Sequence, residues 1–307
     1  MNLELSSKTA IVTGGSRGIG KAIARELALE GADVAIVART PESLEAAARE
    51  LAQETGRRIV PIPADTGDDD SVRSMVQVAA NTLGHLDILV NCAAQPGGIA
   101  PPAALAQITN DAFWPDMNIK VMGYLRCARE VAPYMAQRGW GRIINISGLA
   151  ARQAGSLIGS MRNVAVVAMT KNLAEELGPH GINVTVVHPG TTRTERTPRT
   201  LSDQAQRLGI TVEEVERRMA QGNSVRRIID AQEIAYVVAF LASPKSVAIN
   251  GDVIAAGGVG EGPSSTSAAS IIRGGCAIQQ REFILSSDLA VVVWRRGWDS
   301  NPRTLAG

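Results

Sequence analysis

At 307 residues the chain has length for one large domain or two small ones, with ample material for a core. Hydrophobic residues make up 45%, charged residues 20%, and the formal net charge is +1. That balance is globular and gives no electrostatic reason to expect nucleic acid or a membrane surface as a partner. Cys92, Cys127 and Cys276 lie far apart, as do the three histidines, so neither a metal spacing nor a disulfide framework is expected. No apolar run reaches the ~18 residues of a membrane span. The first residues lack the basic stretch and apolar core of a signal peptide, so a cytoplasmic protein is expected.

The chain opens with a β-branched apolar run at 10–12, read as a buried parallel strand. A glycine turn follows, Thr13-Gly14-Gly15-Ser16-Arg17-Gly18-Ile19-Gly20, and then apolar residues at helical spacing through Ile23 and Leu27. Strand, glycine turn and helix together aim free backbone N–H groups and a positive helix end at a phosphate. Further strands are predicted at 33–38, 58–62, 86–90, 141–146, 182–187 and 252–255. Helices are predicted between them at 41–55, 70–83, 109–138, 161–178 and 230–242, with a kink or break at Pro133. Strands separated by helices predict an α/β fold: a doubly wound, Rossmann-like parallel sheet of about seven strands, helices on both faces.

Residues 191–229 interrupt this alternation with a polar, Arg-rich insert holding a short helix at 211–219 behind the capping box Thr211-Val212-Glu213-Glu214. An insert after a strand's C-terminal end sits where such sheets bind ligands; it reads as a substrate lid, or as a solvated excursion. Residues 1–262 thus form the dinucleotide-binding domain. Residues 263–307 begin as a Gly/Pro/Ser linker and continue no pattern of the body. They read as a poorly packed extension, foreign to the natural chain or docked on a neighbouring subunit.

The Thr-Gly-x-x-x-Gly-x-Gly turn resembles that of the short-chain dehydrogenase/reductase family, and the resemblance runs from about Leu5 to Gly258. It matches Asp65 and Thr66 to an adenine-contacting segment. Asn91-Cys92-Ala93-Ala94 corresponds to the segment after the fourth strand, Asn118 to a helix asparagine and Ser147 to the catalytic serine. His188-Pro189-Gly190-Thr191-Thr192-Arg193-Thr194 corresponds to the Pro-Gly segment beside the nicotinamide. The cofactor contacts so implied are Gly14, Ser16, Arg17, Gly18, Ile19, Gly20, Arg39, Asp65, Thr66, Asn91, Ala93, Asn163, Pro189, Gly190, Thr192 and Thr194. Oligomers, a homodimer or homotetramer, are implied by resemblance alone.

Charge predicts which coenzyme. An NAD site of this type ends its second strand on an acidic residue, whereas this chain has Ala38-Arg39 there and Arg17 inside the glycine turn. Two guanidiniums suit a 2′-phosphate, so NADP(H) is expected over NAD(H); either Arg would otherwise pair with a surface carboxylate.

The family's chemistry uses a Tyr as acid or base and a Lys four residues later, on one helix face. Counting back from 169–177, and forward from Ser147, puts the Tyr position at Gly159 and the Lys position at Asn163. Glycine has no proton to give and asparagine no charge to lower a neighbour's pKa. Ser147 and Asn118 remain as catalytic candidates, with Ser160, Arg162 and His188 as candidate substitutes for the acid. Three functions stay open. One is an oxidoreductase on a carbonyl or alcohol with an atypical site. Another is a non-catalytic NADP(H)-binding pseudoenzyme or redox sensor. The third is a different reaction, such as dehydration or isomerisation, in the same cleft.

Overall fold

The computed structural model describes residues 1–95 and 103–258. The extension expected at 263–307 lies outside the described residues. The elements run β1 (Thr9–Thr13), α1 (Gly18–Leu29), β2 (Asp33–Ala38), α2 (Pro41–Thr55), β3 (Ile59–Pro63), α3 (Asp69–Leu83), β4 (Ile88–Asn91), α4 (Asn110–Met117) and α5 (Gly123–Arg138). They continue with β5 (Gly141–Ile146), α6 (Leu157–Leu177), β6 (Ile182–Pro189), β7 (Thr192–Arg193), α7 (Thr197–Leu208), α8 (Val212–Gln221), β8 (Ile229–Asp230), α9 (Ala231–Ala242) and β9 (Val253–Ala256).

Seven strands form one parallel sheet in the order β3-β2-β1-β4-β5-β6-β9. The order reverses between β1 and β4, which opens a crevice above their C-terminal ends. This is the Rossmann-like, doubly wound fold expected. β1, β4, β5 and β6 are buried along their whole length because helices cover both faces. On one face Ile23, Leu27 and Val238 pack over Val12, Ile36 and Val90. On the other Val72, Met75, Val131 and Met135 pack over Ile11, Leu89 and Ile143.

Two boundaries differ from expectation in ways that matter for the site. The helix predicted over 109–138 is two helices joined by a π turn at Asn118–Met122, and α5 runs through Pro133 without a break. The departure follows Pro115 by one turn; proline withholds a ladder donor. The insert after β6 carries two helices rather than one. α7 and α8 close over a small core of Leu201, Ala205 and Val215, and β7 pairs with β8 at the base.

Candidate active site

The glycine turn is built by exclusion. A Cβ at Gly20 would lie 2.2 Å from the Gly14 carbonyl oxygen, so helix α1 meets the turn only with glycine there. Gly14 takes φ +70 while its Cα faces the Cys92–Ala93 backbone. Thr13 Oγ1 accepts from the N–H groups of Cys92 (3.0 Å) and Ala93 (3.2 Å), tying the ends of β1 and β4 into one wall. Gly14 N–H donates to Val37 O at 2.8 Å, which fixes the turn against β2.

Above this turn opens a cavity of about 500 Å³. Eleven expected cofactor residues line it: Gly14, Ser16, Arg17, Gly18, Ile19, Gly20, Arg39, Asp65, Thr66, Ala93 and Thr194. Thr40, Ser43, Glu195 and Arg196 join them, and sequence reasoning had not singled these out. Arg196 follows the Pro-Gly segment, and only the fold carries it back over the turn. Among the described residues no carboxylate is ion-paired with Arg17, Arg39 or Arg196. Most other arginines of the insert are engaged locally: Arg193 pairs with Glu216 and Asp230, Arg217 and Arg218 with Glu214, and Arg227 with Glu233. The Arg-rich character of the insert is thus largely internal bracing.

Five expected contacts lie elsewhere. Pro189 ends β6, with Gly190 packed against Gly257, and Thr192 Oγ1 is bonded to Gly190 O at 2.9 Å. Asn91 is fully buried and turned into the core. Its Nδ2 donates to Asn145 Oδ1 at 2.9 Å, and Asn145 Nδ2 in turn donates to Thr170 Oγ1 at 2.9 Å, so the relay links β4, β5 and α6. Asn163 is also buried, with its side chain against Gly148 and its Oδ1 without a hydrogen-bond partner among the described residues.

Beyond the cavity, Ser147 stands at the end of β5, tied to β6 by its N–H on Val187 O at 2.8 Å. Its Oγ donates to the Asn163 carbonyl at 3.1 Å. Among the described residues no hydrogen bond joins Asn118 to it. The Asn118 Nδ2 donates to Gly67 O at 3.0 Å. Gly159 lies in the first turn of α6, where Ser156 caps the helix by accepting from the Gly159 N–H at 3.1 Å. A Cβ there would meet only the Ser156 side chain within 4 Å.

The three candidate substitutes are all engaged. Ser160 Oγ donates to Gln153 O at 3.5 Å, and Arg162 is paired with Asp116. His188 is 1% exposed and its Nδ1 accepts from the Gly148 N–H at 3.2 Å. Burial, with Arg152 and Lys120 adding, lowers the imidazole to about 4 and leaves it neutral at pH 7.

One buried residue beside Ser147 was missed outright. Lys120, in the middle of the π turn, is 4% exposed and donates from Nζ to Ser147 O at 3.0 Å. The only signal for it in the sequence was a charged residue on the apolar side of a helix.

A doubly wound sheet whose first turn excludes side chains, beneath a cavity rimmed by unpaired guanidiniums, defines a dinucleotide-binding α/β protein. The chain belongs to the short-chain dehydrogenase family, whose model matches residues 8–205. It is similar to the short-chain reductase protein NovJ of Streptomyces niveus, 35% identical over 246 residues that span 80% of this chain and 90% of that protein. It is 30% identical to the NADPH-dependent reductase BacG of Bacillus subtilis over 257 residues, 83% of this chain and 98% of the relative. Among solved structures it resembles L-sorbose reductase from Gluconobacter frateurii complexed with NADPH and L-sorbose. The TM-score is 0.79 at 27% identity, covering 84% of this chain and 98% of the other.

Proposed function

We propose that this protein is an NADP(H)-dependent oxidoreductase acting on a carbonyl or alcohol, with an atypical proton-handling site. The observation that carries the coenzyme is the cavity over the glycine turn, lined by Arg17, Arg39 and Arg196, with Ala38-Arg39 and no carboxylate at the end of β2. The residues fit the group. The turn leaves backbone N–H groups for a pyrophosphate, and the guanidiniums suit a further phosphate. The NADPH named for BacG and for the sorbose reductase complex supports the same choice. When bound, the coenzyme supplies or accepts a hydride at the substrate carbon.

The chain's own residues do the rest. Arg17 and Arg39 bind the phosphorylated end; Ser147 holds the substrate oxygen through its hydroxyl once that hydroxyl turns from the Asn163 carbonyl. Gly159 and Asn163 stand where the family resemblance puts the acid and its tuning amine, so an ordinary tyrosine mechanism is not available. A positioned acid is worth ~10²–10⁴ in rate, which is why a coenzyme-binding protein without turnover is the competing reading. Exposed apolar side chains on α4 and α6, Trp114, Leu157, Met161 and Val164, support a self-pairing face there. Size-exclusion chromatography of the whole chain, with Met161→Glu as the disrupting variant, tests that.

The deciding experiment is a fluorescence titration with NADPH and NADH, followed by a screen of carbonyl substrates. Preferential NADPH binding with turnover supports the enzyme. Tight NADPH binding with no turnover over a broad panel supports the binding protein, and preference for NADH overturns the charge argument.

A further inference from the structure

At the family's Lys position helix α6 carries Asn163, yet a buried amine from another element reaches Ser147. Of the chain's five lysines, Lys8, Lys21, Lys120, Lys171 and Lys245, only Lys120 is buried. Burying a lysine costs free energy unless its charge is put to use or given up. A surface lysine would be the default on a helix at this point. Instead the wider π turn between α4 and α5 directs Lys120 inward, and Nζ donates to the carbonyl of Ser147 at 3.0 Å. That carbonyl belongs to the residue whose hydroxyl reaches the Asn163 carbonyl. The amine and the position it would replace therefore meet at Ser147 from two different helices. Single π turns inside helices are rare and occur frequently at functional sites.

The surroundings are those of a titrating group rather than a fixed ion. Arg162 from α6 and Asp116 from α4 face Lys120 as an ion pair with each other, so neither neutralises it alone. Cys92 at the end of β4 is the other group on that side, its thiol pushed up to about 11 by burial. From β6 comes His188, neutral at pH 7. No carboxylate among the described residues forms an ion pair with Lys120. Burial first, and Arg162 second, bring its ammonium down from the ordinary lysine range to about 7. Among the described residues the buried Oδ1 of Asn163 has no hydrogen-bond partner.

We propose that Lys120 is the proton-carrying amine of this cleft, taking over from the π turn the place that α6 leaves to Asn163. The proposal deepens the functional reading above and rests on it. In the reducing direction a carbonyl oxygen whose carbon receives a hydride takes up one proton. The Lys120 ammonium gives that proton and becomes a neutral amine, and solvent restores it. In the oxidising direction the neutral amine takes the alcohol proton and becomes the ammonium. A group titrating near the working pH is the efficient one for such exchange.

The test is NMR of the whole protein with ¹³C,¹⁵N-labelled lysine, titrated over pH with and without NADPH, for wild type, Lys120→Met and Lys120→Arg. Five lysines make the assignment simple. The expected result is one signal with a neutral-range midpoint, lost in Lys120→Met, whose midpoint moves by half a pH unit or more when NADPH binds. With a substrate from the carbonyl screen, Lys120→Met should lower kcat by a hundredfold or more with KM within about threefold. Lys120→Arg, which keeps charge and hydrogen bond but holds its proton, should not rescue it. Wild type that binds NADPH yet has all lysines titrating in the ordinary range, or a neutral-range signal unmoved by NADPH, overturns the assignment. So does full rescue by arginine, which would leave Lys120 a fixed charge. A wild type that binds no NADPH overturns the reading of the cleft itself, and this proposal with it.

Discussion

The carboxylate of Glu195 accepts a hydrogen bond from the Gly18 backbone N–H at 3.1 Å. Gly18 opens α1 with φ +56, so its N–H belongs to the set that a helix N-terminus offers to an anion. A side chain of the insert after β6 therefore occupies part of the ground where a coenzyme phosphate would sit. Glu195 also stands between Thr194 and Arg196, both of which line the same cavity. The insert carries one group that competes with the phosphate and one that attracts it.

Removing the competitor should help binding. Glu195→Gln keeps an acceptor and removes the charge, and is expected to tighten NADPH binding about twofold to fivefold, the ~0.5–1 kcal/mol of an exposed charge interaction. The gain should shrink as salt rises. Isothermal titration at two ionic strengths measures it; weaker binding by the variant would mean the carboxylate supports the coenzyme-bound arrangement.

Coenzyme preference should rest on Arg39. A charge-assisted hydrogen bond contributes ~1.5–3 kcal/mol, so Arg39→Ala should weaken NADPH by roughly tenfold to a hundredfold and leave NADH within about threefold. Arg17→Ala should affect NADPH less selectively, because Arg17 also flanks the turn itself. Competition binding with the two coenzymes checks both, and equal losses for NADPH and NADH in Arg39→Ala would remove the 2′-phosphate from the account.

The vacancy on α6 can be filled. A Cβ at Gly159 would meet only the Ser156 side chain, its Cβ and Oγ at 3.1 Å, and replacing a helical glycine gains up to ~1 kcal/mol of helix propensity. Gly159→Tyr, alone and with Asn163→Lys, is expected to raise carbonyl reduction at least tenfold. The single change should suffice if Lys120 serves as the amine. No gain from either variant, measured on folded protein with intact NADPH binding, would mean the substrate pocket itself has diverged.

Lys120 also has a signature in stability. Its folded pKa, about 7, lies below the ordinary lysine value of 10.5, so between these two pH values the unfolded chain binds more protons than the folded one. Stability contributed by this group therefore rises with pH across that window and is lowest below pH 7. Denaturant midpoints at pH 7 and pH 9.5 should show a rise in wild type that is smaller in Lys120→Met. Equal slopes in the two proteins would mean the amine titrates alike in both states.

Much of this protein was legible without coordinates because its signals are local. The observed bounds of α2, Pro41–Thr55 with proline in its first turn, and of β5, Gly141–Ile146, are those the sequence predicts. The glycine turn needed no tertiary context, since Gly20 is dictated by atoms six residues away. The helix α7 was less legible; its Thr197-Pro198 start lies in a polar stretch whose apolar face serves only the small core with Val215.

Residue order thus determined the parallel sheet, the turn that faces a phosphate and the two arginines beside it, all of which depend on short-range spacing and charge. Only the tertiary structure decided that Arg196 and Glu195 return to that turn, that Asn91 is turned into the core while Asn118 bonds to Gly67, and that a lysine from the π turn meets Ser147. Those outcomes depend on how the π turn rotates its side chains and how the insert after β6 folds back over α1, and neither rotation nor return is written in the local periodicity of the chain.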